Sequence, residues 1–189
     1  MGQTPPFMSG QLLLALPGIG DPRFDRAVIA MCLHDEGGAL GVMINHPHPR
    51  LQLSTVLSEL NLDSADAAVR AAPVYIGGPV EPGRGFVLHS ADYGSAATVD
   101  IGGHWCMTGT RDILQAVAEG HGPRHWLVAL GYSGWGAGQL EAELTQHGWH
   151  AAPATDALLY DMPAENRWAA AYAGLGIDVS HLSTEAGHA

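Results

Sequence analysis

Apolar residues along this chain fall into short runs broken by glycine, proline and aspartate, the pattern of a strand-rich domain. The runs predict strands at 11–16, 27–34, 39–45, 74–76, 85–89, 98–101, 104–107, 126–131 and 157–161. Asp35-Glu36-Gly37-Gly38 and Gly102-Gly103 separate adjacent runs and predict hairpin turns, so part of the sheet is expected to be antiparallel. Helical spacing is rarer. It predicts a helix over 53–60, with Ser54 at its cap and Val56, Leu57 and Leu60 on one face. A second runs from the cap Thr110 to Glu119, with Asp112 in its first turn and a buried stripe of Ile113, Leu114, Val117 and Ala118. A third spans 138–147, with Leu140 and Leu144 inward and Gly148 as the stop. Pro163 opens a fourth, along which Trp168, Tyr172 and Leu175 recur. The alanine-rich stretch 63–72 reads as a short helix or a connection. No repeat, linker or boundary interrupts the pattern, so residues 1–189 are expected to form one domain of the α+β class.

Composition narrows the chemistry. The 189 residues are 47% apolar and 14% charged, against about 25% charged in an average soluble domain. Nineteen acidic residues face eight basic ones, giving a formal charge of -11. All eight are arginines, at 23, 26, 50, 70, 84, 111, 124 and 167. Without lysine there is no Walker A phosphate loop, no pyridoxal Schiff base and no kinase lysine. The arginines are scattered and form no basic stripe, which disfavours direct nucleic-acid binding. No run approaches the roughly 20 apolar residues of a membrane span. The apolar run Leu12-Leu13-Leu14-Ala15-Leu16 has no positive charge before it, unlike a secretory signal. Met1-Gly2 lacks the Ser or Thr that myristoylation wants, since Pro6 stands there. A cytoplasmic protein is expected, with no membrane association and with Cys32 and Cys106 as reduced core thiols.

Four constellations bear on function. Eleven histidines include His46-Pro47-His48 and the pair His147 and His150, but neither has zinc-site spacing, and no metal is expected. Ser133 follows a strand and precedes a helix, the setting of a nucleophile elbow. Trp135, however, occupies the place where the elbow needs a small residue. The segment from Gly77-Gly78-Pro79 to Arg84-Gly85 can expose backbone N–H groups beside a fixed guanidinium, which would hold a phosphate or carboxylate; a long turn with Arg84 paired to an acid is the plainer reading. Trp135 and Trp149 flank the third helix and either fill the core or floor a cleft.

Several motifs occur in order: Asp21-Pro22-Arg23-Phe24-Asp25-Arg26-Ala27-Val28, then His34-Asp35-Glu36-Gly37-Gly38-Ala39-Leu40-Gly41-Val42-Met43-Ile44-Asn45. Gly77-Gly78-Pro79-Val80 and Arg84-Gly85-Phe86-Val87-Leu88-His89 follow. Leu130-Gly131-Tyr132-Ser133-Gly134-Trp135, Gln139-Leu140-Glu141, Arg167-Trp168, Gly176-Ile177-Asp178 and Ala186-Gly187-His188-Ala189 complete the series. The chain resembles the bacterial YqgE/AlgH family over nearly its whole length. The resemblance implies one mixed α and β domain whose sheet is bent and branched, mostly antiparallel, and approaches a partial barrel flanked by helices. It brings no established reaction and no cofactor. One branch of the family carries the label of a transcriptional regulator of alginate synthesis, which implies indirect regulation here.

The combined expectation is a non-enzymatic binding or regulatory protein whose partner is a small anionic ligand or another protein. Its pocket would be lined by Asn45, Gly77, Gly78, Arg84, His89, Trp135 and Gln139, with no catalytic residue. Arg84 would supply charge, His89 a pH-dependent donor and Trp135 an apolar wall. Two other readings stand beside it: a hydrolase or transferase using Ser133 or Cys106 with a histidine, and a direct DNA-binding regulator.

Overall fold

A strand covered on both faces reads as an unbroken apolar run, and the first strands show why. In the computed structural model, which describes residues 7–146 and 148–182, β1 (Gln11–Ala15), β2 (Val28–Asp35) and β3 (Gly38–Met43) pair antiparallel in succession. Leu12, Leu14, Val28 and Ala30 face one core cluster, while Leu13, Ala15, Ile29 and Met31 face another. Both faces are therefore buried.

The remaining strands are β4 (Pro47–Gln52), β5 (Pro73–Ile76), β6 (Val80–His89), β7 (Thr98–Ile101), β8 (Trp105–Thr108), β9 (Trp126–Gly136) and β10 (Trp149–Pro153). β9 is the axis of the sheet. One of its edges carries β6, antiparallel. Its other edge carries β5, parallel at Val128 to Leu130, and then β3, antiparallel from Ser133 to Gly136. The sheet branches there. The main order is β10-β1-β2-β3-β9-β6-β8-β7, with β4 paired to β5. Register breaks between Met31 and Leu33 and between Val80 and Gly85 help to bend it, and it curls into a half-barrel flanked by helices.

Because β5 and β6 lie on opposite edges of β9, the chain between them crosses the face of β9. Only glycine fits at that crossing. A Cβ on Gly77 would lie 2.2 Å from the Gly131 carbonyl oxygen, and one on Gly78 2.1 Å from the Tyr132 carbonyl carbon. Gly131 itself has φ +74, and its Cβ would meet the Gly78 oxygen at 2.6 Å.

The helices are α1 (Leu53–Glu59), α2 (Ala67–Ala71), α3 (Arg111–Glu119), α4 (Gln139–Thr145) and α5 (Ala164–Gly174). α1 and α3 press Leu53, Leu57, Ile113 and Val117 onto Val74, Val87 and Val128. α5 seats Trp168 and Tyr172 against the first cluster, and both side chains donate to the Ala15 carbonyl, at 2.8 and 3.2 Å. Among the described residues no helix is long and apolar enough to cross a membrane.

The helices over 53–60, 110–119 and 138–147 and the one after Pro163 form within a few residues of the expected bounds, and 63–72 holds a short helix. Three expectations are corrected, and two strands, β4 and β10, are added. Residues 157–161 form a turn of π-helix, not a strand, closed by the Met162 N–H on the Ala157 carbonyl. A short apolar run has no period that separates the two. Residues 47–52 are a strand despite two prolines, tolerated because β4 is seen to pair with β5 alone. β10 escaped notice because Trp149–Pro153 is short, alanine-containing and only partly buried. The N-cap of α1 is Gln52 and not Ser54, and Thr110 caps α3 by position while its hydroxyl donates to Asp112. Leu175 lies past the end of α5 and is exposed. His147 and the terminal motif Ala186 to Ala189 lie outside the described residues.

Candidate functional site

Strand β9 ends at Gly136 and α4 begins at Gln139, and the side chains of this junction build a cleft. The Gln139 Oε1 accepts the Gly136 N–H at 3.0 Å, which closes the turn. Its Nε2 donates to Glu143 Oε1 one helical turn on, also at 3.0 Å. Glu143 Oε2 accepts both indole N–H groups, from Trp135 and from Trp149, each at 2.9 Å. The two indoles meet edge to face, 6.0 Å apart at 81°, and Phe24 stands edge-on to Trp149 at 5.6 Å. One carboxylate thus fixes two aromatic rings.

These rings floor a cleft of about 830 Å³. Leu16, Ile19 and Phe24 form one wall, Pro79 and Val80 another. At the rim Asp21 and Arg23 form a bidentate pair, with contacts of 2.6 to 3.1 Å. The guanidinium holds the Asp21 carboxyl below its ordinary range, and the carboxylate raises the Arg23 pKa in return. Helix α4 is tied to the sheet from its other side. His34 Nδ1 accepts the Met8 N–H at 3.0 Å, so Nε2 carries the proton and donates to Glu141 at 2.9 Å. The Glu141 backbone N–H and the His34 ring lower the Glu141 carboxyl pKa.

The structure does not bring the seven expected pocket residues together. Trp135 and Gln139 line the cleft, beside Pro79 and Val80. Gly77 and Gly78 belong to the chain crossing rather than to an anion nest. The Gly77 N–H donates to Leu130 O, and its carbonyl accepts from the Met43 N–H, both at 2.8 Å. Asn45 is buried and structural: Oδ1 accepts the Val28 N–H and Nδ2 donates to the Arg26 carbonyl, each at 2.8 Å. Arg84 is exposed, pairs with Glu81 at 3.3 Å and lies over the Phe86 ring. His89 is 0% exposed. Its Nδ1–H donates to Ser90 O at 2.9 Å and its Nε2 accepts from Thr108 at 2.8 Å. Burial lowers its pKa.

The expected nucleophiles are not activated. β9 runs straight through Ser133, so neither an elbow nor a strand-to-helix turn forms there. Ser133 is 1% exposed, and its hydroxyl donates to the Gly77 carbonyl at 3.4 Å. Cys106 stands opposite His89 across β6 and β8, but both nitrogens of that ring are already bonded. Burial raises the Cys106 thiol pKa and pushes that of Cys32 up to about 12, the opposite of what a thiolate nucleophile needs. No group of three or more metal-ligating side chains converges among the described residues.

Sequence reasoning flagged both tryptophans but missed Glu143, Phe24 and the loop from Leu16. The signal for Glu143 was present. It sits four residues after Gln139, on a helix bracketed by two tryptophans, where an acid has aromatic N–H groups within reach.

Comparison with known proteins adds the family. The AlgH-like family, DUF179, matches residues 12–180. A UPF0301 protein of Sphingopyxis alaskensis is 51% identical over 189 residues, covering all of both chains. One from Xanthomonas campestris pv. campestris is 44% identical with the same full coverage. Among solved structures, the solution structure of the AlgH protein from Pseudomonas aeruginosa, a UPF0301 protein, has a TM-score of 0.79 at 41% identity, covering all of both chains. A crystal structure from Corynebacterium diphtheriae shares the fold, with a TM-score of 0.68 at 20% identity over 90% of this chain and 87% of that one. The fold expected from the ordered motifs and the family matches agree: this chain belongs to the AlgH-like UPF0301 family.

Proposed function

We propose that this protein is a non-enzymatic binding protein that acts through a protein partner, whose extended segment enters the Trp135–Trp149 cleft. The observation that carries the reading is the Glu143 carboxylate holding both indole N–H groups. With 7% and 4% of their surfaces exposed, the two rings form a rigid floor that needs no ordering on binding, and the accessible apolar area comes from the walls around them. The walls suit a polypeptide better than a small anion. They are apolar, and Arg23, the cation at the rim, is already neutralised by Asp21. Beyond Tyr132 the edge of β9 away from β3 pairs with no described strand, so Gly134 can offer backbone groups to an added strand. Any regulatory role then runs through that partner and not through DNA, since a formal charge of -11 opposes a phosphate backbone and the eight arginines are scattered along the chain. The reading carries a cytoplasmic location with it.

Photocrosslinking in living cells tests it. A benzophenone amino acid at Gln146, exposed on the cleft rim, should give a discrete protein adduct. The same group at exposed Ala65 should give none, and Ile19→Glu, which puts a charge on a half-buried wall residue of the cleft, should remove the Gln146 adduct while the domain stays folded. Adducts of equal yield from both positions, or one that survives Ile19→Glu, would overturn the proposal.

A further inference from the structure

A second site follows from a cation that the cleft does not use. Arg167, in the second turn of α5, is 3% exposed. Buried guanidinium groups are ordinarily matched by a carboxylate, because an unpaired charge is strongly disfavoured in a protein interior. None lies within 4.0 Å of Arg167 among the described residues. Its Nε donates to the Met162 carbonyl at 3.0 Å and its Nη1 to the Ile44 carbonyl, while its plane lies 5.2 Å from the Tyr75 ring. Asp161 and Glu165 act on it only through space, and Asp161 is directed to His125 at 3.7 Å. The Tyr75 side chain also faces the guanidinium as a hydrogen-bonding group, and Nη2 has no carboxylate partner among the described residues. Desolvation lowers the Arg167 pKa, as expected of a cation without its counter-ion.

Beside this guanidinium lies a cavity of about 120 Å³ that shares no lining residue with the tryptophan cleft. Tyr75, Trp126, Leu159 and Tyr160 wall it, and Arg167 is the charged side chain among its described lining residues. We infer that this cavity is a binding site for a small monocarboxylate with a short apolar tail, its carboxylate on Arg167 and its tail against the aromatic wall. The volume equals that of roughly four water molecules, which fits a chain of a few carbons. One guanidinium balances one negative charge and offers planar donors that match a carboxylate. A phosphate dianion would bring a second charge and further oxygens for which this wall has no cation. The anion expected at Arg84 is thus assigned to a different arginine, and the assignment stands independently of the partner reading of the cleft.

Titration of ¹⁵N-labelled protein with sodium butyrate at constant ionic strength tests the site. The expected result is a saturable shift of the Arg167 Nε–H and of the amides around Leu159 and Tyr160, with phosphate weaker than butyrate. Arg167→Lys keeps the charge but loses the planar fork, and it also loosens α5. Ala72→Leu is therefore the deciding variant. It fills the cavity from half-buried Ala72, leaves Arg167 in place, and should weaken butyrate about tenfold or more without moving the remaining resonances. Shifts that stay linear in butyrate, equal affinity for phosphate, or unchanged affinity in Ala72→Leu would each overturn the assignment.

Discussion

A carboxylate that accepts two indole N–H bonds and one amide N–H has little capacity left for solvent, and Glu143 is in that position. Removing it leaves donors facing a half-buried gap, at a cost of about 1–3 kcal/mol. Glu143→Ala is expected to lower unfolding stability by that amount and to shift tryptophan emission to the red. Denaturant unfolding followed by fluorescence checks both, and unchanged emission would contradict the clamp. His89 gives a pH signature. Its folded pKa is lowered by burial, so below about pH 6.5 the unfolded chain takes up a proton that the folded chain refuses. Stability is therefore full above pH 6.5 and falls with acidification, by at most about 1.4 kcal/mol per pH unit for one such group. His46, also lowered by burial, adds a slope of the same sign. His89→Asn should flatten the decline of melting temperature between pH 7 and pH 5, and an unaltered slope would refute the assignment. At this scale the sequence showed Trp135 and Gln139 but grouped them with Asn45, Arg84 and His89, and it left Trp149 out of the pocket. Neighbourhood along a motif does not report which face of a strand a side chain leaves from, and these three turn to other partners.

The crossing of the chain over β9 sets the strongest demand of any element. A side chain at Gly131 would face both the left-handed conformation and the Gly78 oxygen at 2.6 Å. Gly131→Ala is expected to cost more than about 2 kcal/mol, from backbone strain plus overpacking. Gly83→Ala, where a Cβ would have nothing within 4 Å and φ is not positive, should stay within about 0.5 kcal/mol. Urea unfolding of the two variants makes the comparison, and similar losses would mean that the crossing is not tight. The central strands and the helices with apolar stripes were legible because burial on one or two faces leaves a period in the sequence. The strand β4 and the strand β10 were not, since edge strands with proline or alanine carry little of that period. The turn at Ala157–Asp161 was misread because its two buried leucines, Leu158 and Leu159, fit either backbone.

At the scale of the whole molecule, the half-barrel depends on a strand from the last third of the chain. β9 joins β3, β5 and β6, no two of which pair with each other among the described residues. A chain ending at Arg124 is expected to remain unfolded, with collapsed amide dispersion in its NMR spectrum, whereas native-like dispersion would show that the remaining strands pair by themselves. The branched, two-faced sheet was legible only through the ordered family motifs, because pairing between residues so far apart in sequence leaves no local trace. The central place of β9 also bears on how the protein is made. A ribosome that has delivered the first two thirds of the chain has produced strands whose inner edges still lack their partner. Those edges stay open to neighbouring nascent chains until Gly136 has emerged, so translation speed through this stretch sets how long the newborn protein is exposed to misassembly.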